Sequence, residues 1–169
     1  MEPEEGLVCT AAEQRDIIQW TSLNFNSFIA NGPGRRFQLL PRCAGLSRSA
    51  TRIRDRIIDL EGLREFEGRP PALADFVSHI SGGGQIHPHR DPNSDNLIHT
   101  RFNVFVQLPE AGGRPIYAQV RFDPAERSYL PCVAGRDLHT CEPVEGKKAR
   151  IVLSFGFLVS EDWLIQRGV

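Results

Sequence analysis

The sequence contains no apolar run approaching the roughly 18 residues that a membrane-spanning helix needs. Its opening residues, Met-Glu-Pro-Glu-Glu, are acidic and lead into no apolar segment, the reverse of a secretion signal. Charge of one sign is not in surplus: 20 Lys and Arg stand against 21 Asp and Glu, for a net charge of −1. That balance gives no global attraction to nucleic acid or to an anionic membrane. Cysteine is sparse, and Cys9, Cys43, Cys132 and Cys141 form no Cys-x-x-Cys pair. They read as reduced thiols rather than a disulfide framework or a structural zinc site. Internal repeats, low-complexity tracts and linkers long enough to divide 169 residues are missing too. The expectation is one cytoplasmic domain spanning 1–169, with neither nucleic acid nor membrane as partner.

Hydrophobic residues make up 40% and charged residues 24%, enough apolar material to bury a core. Two zones separate by periodicity. Residues 1–70 carry helical spacing. A first helix starts near Thr10 and runs through about Ala30, with Ile17, Trp20, Leu23 and Phe28 on one face and Asn31-Gly32-Pro33-Gly34 as its stop. A second fits Ser49–Phe66, with Ile53, Ile57, Leu60 and Phe66 along one stripe. The arginines of 42–56 read as a solvated face, because acidic residues interleave and no aromatic stacking platform accompanies them. From residue 75 the period becomes two. Strands are expected at Asp75–Ile80, Gly84–Asp91, Thr100–Leu108, Pro115–Phe122, Ser128–Val133, Asp137–Glu142 and Ala149–Val159, separated by Gly- and Pro-containing turns. Many short strands with few helices among them indicate a mainly β sandwich or barrel, with 75–160 as the core and 1–70 as helical support.

Strand alternation places Gln85, His87, His89 and Asp91 on one face. Two imidazoles and a carboxylate on one short strand need either solvent or a ligand. His-x-Asp alone is weak, and a surface pair explains it as well. Later residues add to it. His139 lies 50 residues on, and Arg150 opens the most apolar strand. On that strand Ile151, Leu153, Phe155 and Phe157 face one way, toward the helices; Arg150, Val152, Ser154 and Gly156 face the other, into the barrel. A buried arginine is costly without an anionic partner. His89, Asp91 and His139 together make a two-histidine, one-carboxylate facial triad, which leaves open positions on an octahedral iron(II). A shifted set using His87 and His89 stays conceivable, and Cys141 beside His139 hints at zinc without a cysteine pair to support it. His79 reads as structural.

In the order His89-Arg-Asp91, His139, Arg150, the chain resembles the iron(II)/2-oxoglutarate-dependent oxygenases, whose core is a cupin-like, jelly-roll double-stranded β-helix. The stretch Leu97-Ile-His-Thr-Arg-Phe-Asn-Val-Phe-Val-Gln-Leu-Pro109, followed by Gly112-Gly113, is similar to the central strand and turn of the prolyl-hydroxylase-like members. The likeness covers about residues 75–160. It implies that iron(II), 2-oxoglutarate and dioxygen are used. 2-Oxoglutarate would bind the metal through its C1 carboxylate and keto oxygen, with its distal carboxylate on Arg150 and Ser154 on the same inward face. The likeness also suggests that the face of His99, Arg101, Asn103 and Gln107, with Phe105 among them, lines the pocket and puts Arg101 and Asn103 near co-substrate or substrate; a solvated face is the other reading. Gln85 and His87 fall on the substrate side. Halogenating relatives lack the carboxylate ligand, so Asp91 favours hydroxylation or another oxidation of a C–H bond. The catalytic core takes about half of a short chain, which favours a small-molecule substrate such as a free or carrier-bound amino acid. Two other readings remain: a cupin-type isomerase or dioxygenase without 2-oxoglutarate, which leaves Arg150 unpaired, and a non-catalytic β-sandwich binding module.

Overall fold

Thr10 opens the first helix, α1 (Ala11–Asn24), with a reciprocal cap. Its hydroxyl accepts from the Glu13 backbone N–H at 3.2 Å, and the Glu13 carboxylate accepts from the Thr10 N–H at 2.9 Å. In this computed structural model, which describes residues 2–40 and 45–168, Glu13 has a second task. Arg56 of α2 (Ser47–Glu61) grips both its carboxylate oxygens, at 2.7 and 3.0 Å, so one buried carboxylate caps one helix and ties it to the next. Arg42 and Cys43 lie outside the described residues.

Both helices end earlier than their periodicity suggests. In α1 the Ser22 and Asn24 side chains donate back to the Ile18 and Trp20 carbonyls, a local competition that favours helix termination. A 3-10 turn (Phe25–Ser27) follows, and no helix reaches Ala30. In α2, Gly62 takes a left-handed φ of 63° and its N–H caps the Ile58 carbonyl, so Arg64–Phe66 forms a separate 3-10 turn. Phe28 and Phe66 thus lie past the helix ends, and the stripes drawn through them are out of phase. Leu23 and Leu60, expected inside, are 77% and 64% exposed, while Ile17, Ile53, Ile57 and Ile58 are buried.

The segment 1–70 is not purely helical support. Gly32 and Gly34, with φ of 100° and 65°, turn the chain back on itself, and β1 (Ile29–Ala30) pairs with β2 (Arg35–Leu39). The other strands are β3 (Asp75–Ile80), β4 (Ile86–His89), β5 (Ile98–Gln107), β6 (Ala111–Gly112), β7 (Pro115–Tyr117), β8 (Val120–Arg121), β9 (Tyr129–Cys132), β10 (His139–Cys141), β11 (Val144–Glu145) and β12 (Arg150–Val159). A short α3 (Glu161–Gln166) follows, capped by Ser160. Antiparallel pairing gives a six-stranded sheet in the order β1-β2-β3-β12-β5-β9 and a four-stranded sheet in the order β4-β10-β7-β8. This is the expected mainly β, jelly-roll double-stranded β-helix.

Every residue of β12 is buried. Its Ile151, Leu153, Phe155 and Phe157 join Phe102, Val104 and Val77 against Ile17, Ile53 and Ile57 of the helices, so the helices cover the outer face of the larger sheet. Its other face looks into the space between the sheets. No helix among the described residues is long and apolar enough to cross a membrane.

Replacing Glu13 by Ala leaves Arg56 without its buried partner and α1 without half its cap. The expected loss is about 3 kcal/mol, read as a lowered urea midpoint with an unchanged denaturant slope.

Candidate metal centre

β4 delivers its residues to the barrel interior through an irregularity. The register pairs His89 with His139 and Ile86 with Cys141, so β4 spends one residue more than β10 over the same stretch. Such a bulge resets the alternation of faces. Ile86 and His89 therefore both line the interior cavity. Gln85 and His87, expected on the face of His89, sit instead in a separate pocket with Asn31, Gly32 and Pro33. There Gln85 Nε2 lies 3.5 Å from His87 Nδ1.

The rings of His89 and His139 lie with centroids 4.2 Å apart. Asp91 follows β4 and is fixed by its backbone N–H, which donates to the Ala134 carbonyl at 2.8 Å. One donor atom from each of these three residues falls within 4.8 Å of the others. Their remaining atoms are engaged elsewhere. His89 Nδ1 faces the His87 carbonyl at 2.8 Å, and His139 Nδ1 faces the Asp137 carbonyl at 3.2 Å. A carbonyl only accepts, so Nδ1 of each ring is the donor and Nε2 is the nitrogen turned inward. Asp91 Oδ2 accepts from Arg101 Nε at 2.5 Å. Its Oδ1 is left 3.6 Å from His89 Nε2 and 4.0 Å from His139 Nε2. Three ligand-type atoms thus converge, and their outer atoms are held in place. That donor set fits a divalent first-row metal ion with positions open toward the cavity.

Electrostatics keep the donors in the right state. Burial opposes charge on Asp91, but the Arg101 guanidinium beside it prevails and holds the carboxyl below its ordinary value. Burial pushes the His139 imidazole down. It also pushes His99 down to about 4; this ring is 1% exposed, with Nδ1 3.6 Å from Asp91 Oδ2.

Arg101, Asn103, Ser154 and Arg150 all line the same cavity, but their hydrogen bonds differ. Arg101 is committed: besides Asp91 it donates to the Ala74 carbonyl (3.2 Å), the Ser154 hydroxyl (3.3 Å) and the Leu73 carbonyl (2.8 Å). Ser154 is therefore an acceptor for Arg101, and Asn103 Nδ2 donates to the Tyr117 hydroxyl at 3.0 Å. Arg150 is 3% exposed, lies over the Phe105 ring at 5.5 Å and forms no ion pair among the described residues. Gln107 leaves the inward face. A register shift pairs it with the outward Ile151, and it donates to the Ala149 carbonyl. His79 packs edge-on against Phe25, away from the cavity, and Cys141 Sγ accepts from the Ile86 N–H.

Among the cavity residues that the sequence pattern does not single out are Tyr117 and Arg35. Tyr117 could have been found, since alternation from Pro115 points it inward. Arg35 follows a Gly-Pro-Gly turn that resembled a helix stop, and nothing local marked its strand.

No family model matches the sequence, and no curated protein matches it. Solved structures do match the fold. HygX of Streptomyces hygroscopicus, with nickel and 2-oxoglutarate bound, superposes with a TM-score of 0.64 at 16% identity, over 91% of this chain and 81% of its own. A prolyl hydroxylase of Trichoplax adhaerens, in complex with a hypoxia-inducible-factor peptide, gives 0.64 at 13% identity over 92% and 82%. A Pseudomonas putida prolyl-4-hydroxylase gives 0.63 at 12% identity over 92% and 90%. The chain has the prolyl-hydroxylase fold. Within that fold the Arg101–Asp91 pair is the contact that aims the carboxylate, and its effect is measurable. Arg101→Met is expected to lower manganese affinity about 10- to 100-fold in a fluorescence or calorimetric titration, whereas His139→Ala abolishes tight binding without lowering the melting temperature of the metal-free protein.

His99 and His139 resist protonation when folded and accept it when unfolded. The unfolded chain therefore binds more protons below the ordinary value of 6.5, and the stability of the metal-free protein falls as pH drops from there toward about 4. Thermal melts across that window should show a shallower slope for His99→Asn.

Proposed function

We propose that this protein is an iron(II)- and 2-oxoglutarate-dependent oxygenase that hydroxylates, or otherwise oxidises, a C–H bond of a small molecule. The observation that carries this reading is a single cavity holding a converging His89–Asp91–His139 set and the buried guanidinium of Arg150, which pairs with no carboxylate among the described residues. A cupin that does not use 2-oxoglutarate accounts for the triad and leaves Arg150 without a purpose. Iron(II) held by the triad would supply dioxygen activation coupled to conversion of 2-oxoglutarate into succinate and carbon dioxide.

The chain's own residues then have distinct tasks. His89 and His139 present Nε2 as metal ligands, and Asp91 presents Oδ1. Arg101 is a positioning residue: it holds Oδ2 and so aims Oδ1. Arg150 takes the distal carboxylate of 2-oxoglutarate through its planar fork. Tyr117 and Asn103, linked to each other, can reorient a hydroxyl toward the same ligand. Burial pushes the Tyr117 phenol up, which keeps it a proton donor. Ile86, Phe76 and Val152 supply apolar wall that excludes water. Asp91 keeps a carboxylate where a halogenase would need an open position, which favours hydroxylation. A free or carrier-bound amino acid suits a cavity built within one short chain. The reducing cytoplasm suits Cys9, Cys132 and Cys141, all buried and unpaired with one another.

The test is succinate release from 2-oxoglutarate under iron(II), ascorbate and air, screened against amino acids, peptides and small acids. Absence of turnover with every metal and substrate, together with no 2-oxoglutarate binding to the manganese-loaded protein, would sink the proposal. Arg150→Ala is expected to raise the 2-oxoglutarate dissociation constant about 10- to 100-fold with manganese affinity unchanged, and Arg150→Lys to recover part of the loss.

A further inference from the structure

Arg150 is not alone in the cavity. Arg35 of β2 lines it as well. In the sheet register both arginines stand opposite the same residue: Arg35 pairs with Ile80 across β2–β3, and Arg150 pairs with Ile80 across β3–β12. Directly opposed residues of antiparallel neighbours project to the same face. The two guanidiniums therefore leave the sheet on one side and at one depth, flanking Ile80.

Neither is neutralised by another described residue. Both Nε atoms are buried without a hydrogen-bond partner, and neither side chain forms an ion pair among the described residues. Neighbouring arginines differ: Arg101 holds Asp91, Arg56 holds Glu13, and Arg54 holds Glu67 and Asp75. Burial pushes the Arg35 guanidinium below its ordinary value, and the charge of Arg150 pushes the same way. Asp91 draws it back, but that carboxylate is already bound to Arg101. Two facing cations with no acid between them destabilise the empty protein, and one external carboxylate would relieve both.

We propose that Arg35 and Arg150 clamp a single carboxylate from both sides, the distal carboxylate of the co-substrate, and that Arg35 selects 2-oxo dicarboxylates over 2-oxo monocarboxylates. This rests on the oxygenase reading above and adds to it a residue from outside the 75–160 core. Two guanidinium forks on one carboxylate satisfy its lone pairs in full. A 2-oxo acid ending in a methyl group would leave both cations as they are in the empty cavity.

The experiment compares wild type, Arg35→Met and Arg35→Lys, each loaded with manganese, by calorimetric titration with 2-oxoglutarate and with 2-oxopentanoate, which has a methyl group in place of the distal carboxylate. Arg35→Met is expected to weaken 2-oxoglutarate about 10- to 100-fold, to leave 2-oxopentanoate and manganese affinity unchanged, and to raise the ligand-free melting temperature by removing one of two repelling charges. Arg35→Lys should retain part of the affinity. Wild type that binds 2-oxoglutarate and keeps that affinity in Arg35→Met overturns the clamp and leaves the oxygenase reading standing. Equal weakening of both acids with a lowered melting temperature also overturns it, assigning Arg35 to packing. Wild type that binds no 2-oxoglutarate overturns the oxygenase reading, and the clamp falls with it.

Discussion

The Arg101 guanidinium donates in three directions at once: to Asp91 from Nε, to the Ala74 carbonyl and Ser154 hydroxyl from one terminal nitrogen, and to the Leu73 carbonyl from the other. One side chain thereby joins β5, β12, the segment entering β3 and the loop leaving β4. It is 4% exposed, so a lost contact would leave a buried donor without water to replace it. The arrangement fixes Asp91 to within a rotamer, and Asp91 is the one acid among the three converging donors. The site's geometry is thus a property of the sheet's polar interior rather than of the loops around it.

The two faces of the larger sheet divide the labour. Its outer face is a continuous apolar layer against the helices, with Phe102, Phe155 and Phe157 fully packed. The inner face carries arginines, the His99 imidazole, an amide and hydroxyls around open space. Packing on one side can compensate for unfavourable charge on the other, because a domain's net stability is a small difference between large terms. Arg35 and Arg150 are tolerable only in a molecule whose opposite face is so well filled.

Much of this was legible in the sequence. The inward set on β12 follows from strict alternation over ten residues, and His89, Asp91, His139 and Arg150 meet in one cavity. Alternation failed where the strands carry an extra residue. The irregularity in β4 moves Gln85 and His87 out of the cavity, and a similar shift in β5 turns Gln107 away; no side-chain pattern announces either. Helix ends were misjudged because Phe28 and Phe66 fit the helical spacing while Ser22, Asn24 and Gly62 had already stopped the helix. Arg101 was legible as an inward residue but not as the partner of Asp91, since that contact joins residues on different elements. β1 and β2 were hidden because five residues after a Gly-Pro-Gly turn acquire strand structure only by pairing with β3.

The position of β12 has a consequence for how the molecule assembles. β3 and β5 do not pair with each other; β12 lies between them and pairs with both. During synthesis their facing edges must wait for a strand made some 40 to 70 residues later. Until it inserts, the helices have no apolar sheet to cover, and Arg101 lacks the Ser154 acceptor. Such non-local pairing makes folding slow and leaves strand edges open to wrong partners in the meantime. β12 is thus the keystone of the larger sheet, which closes only once residues 150–159 have been made.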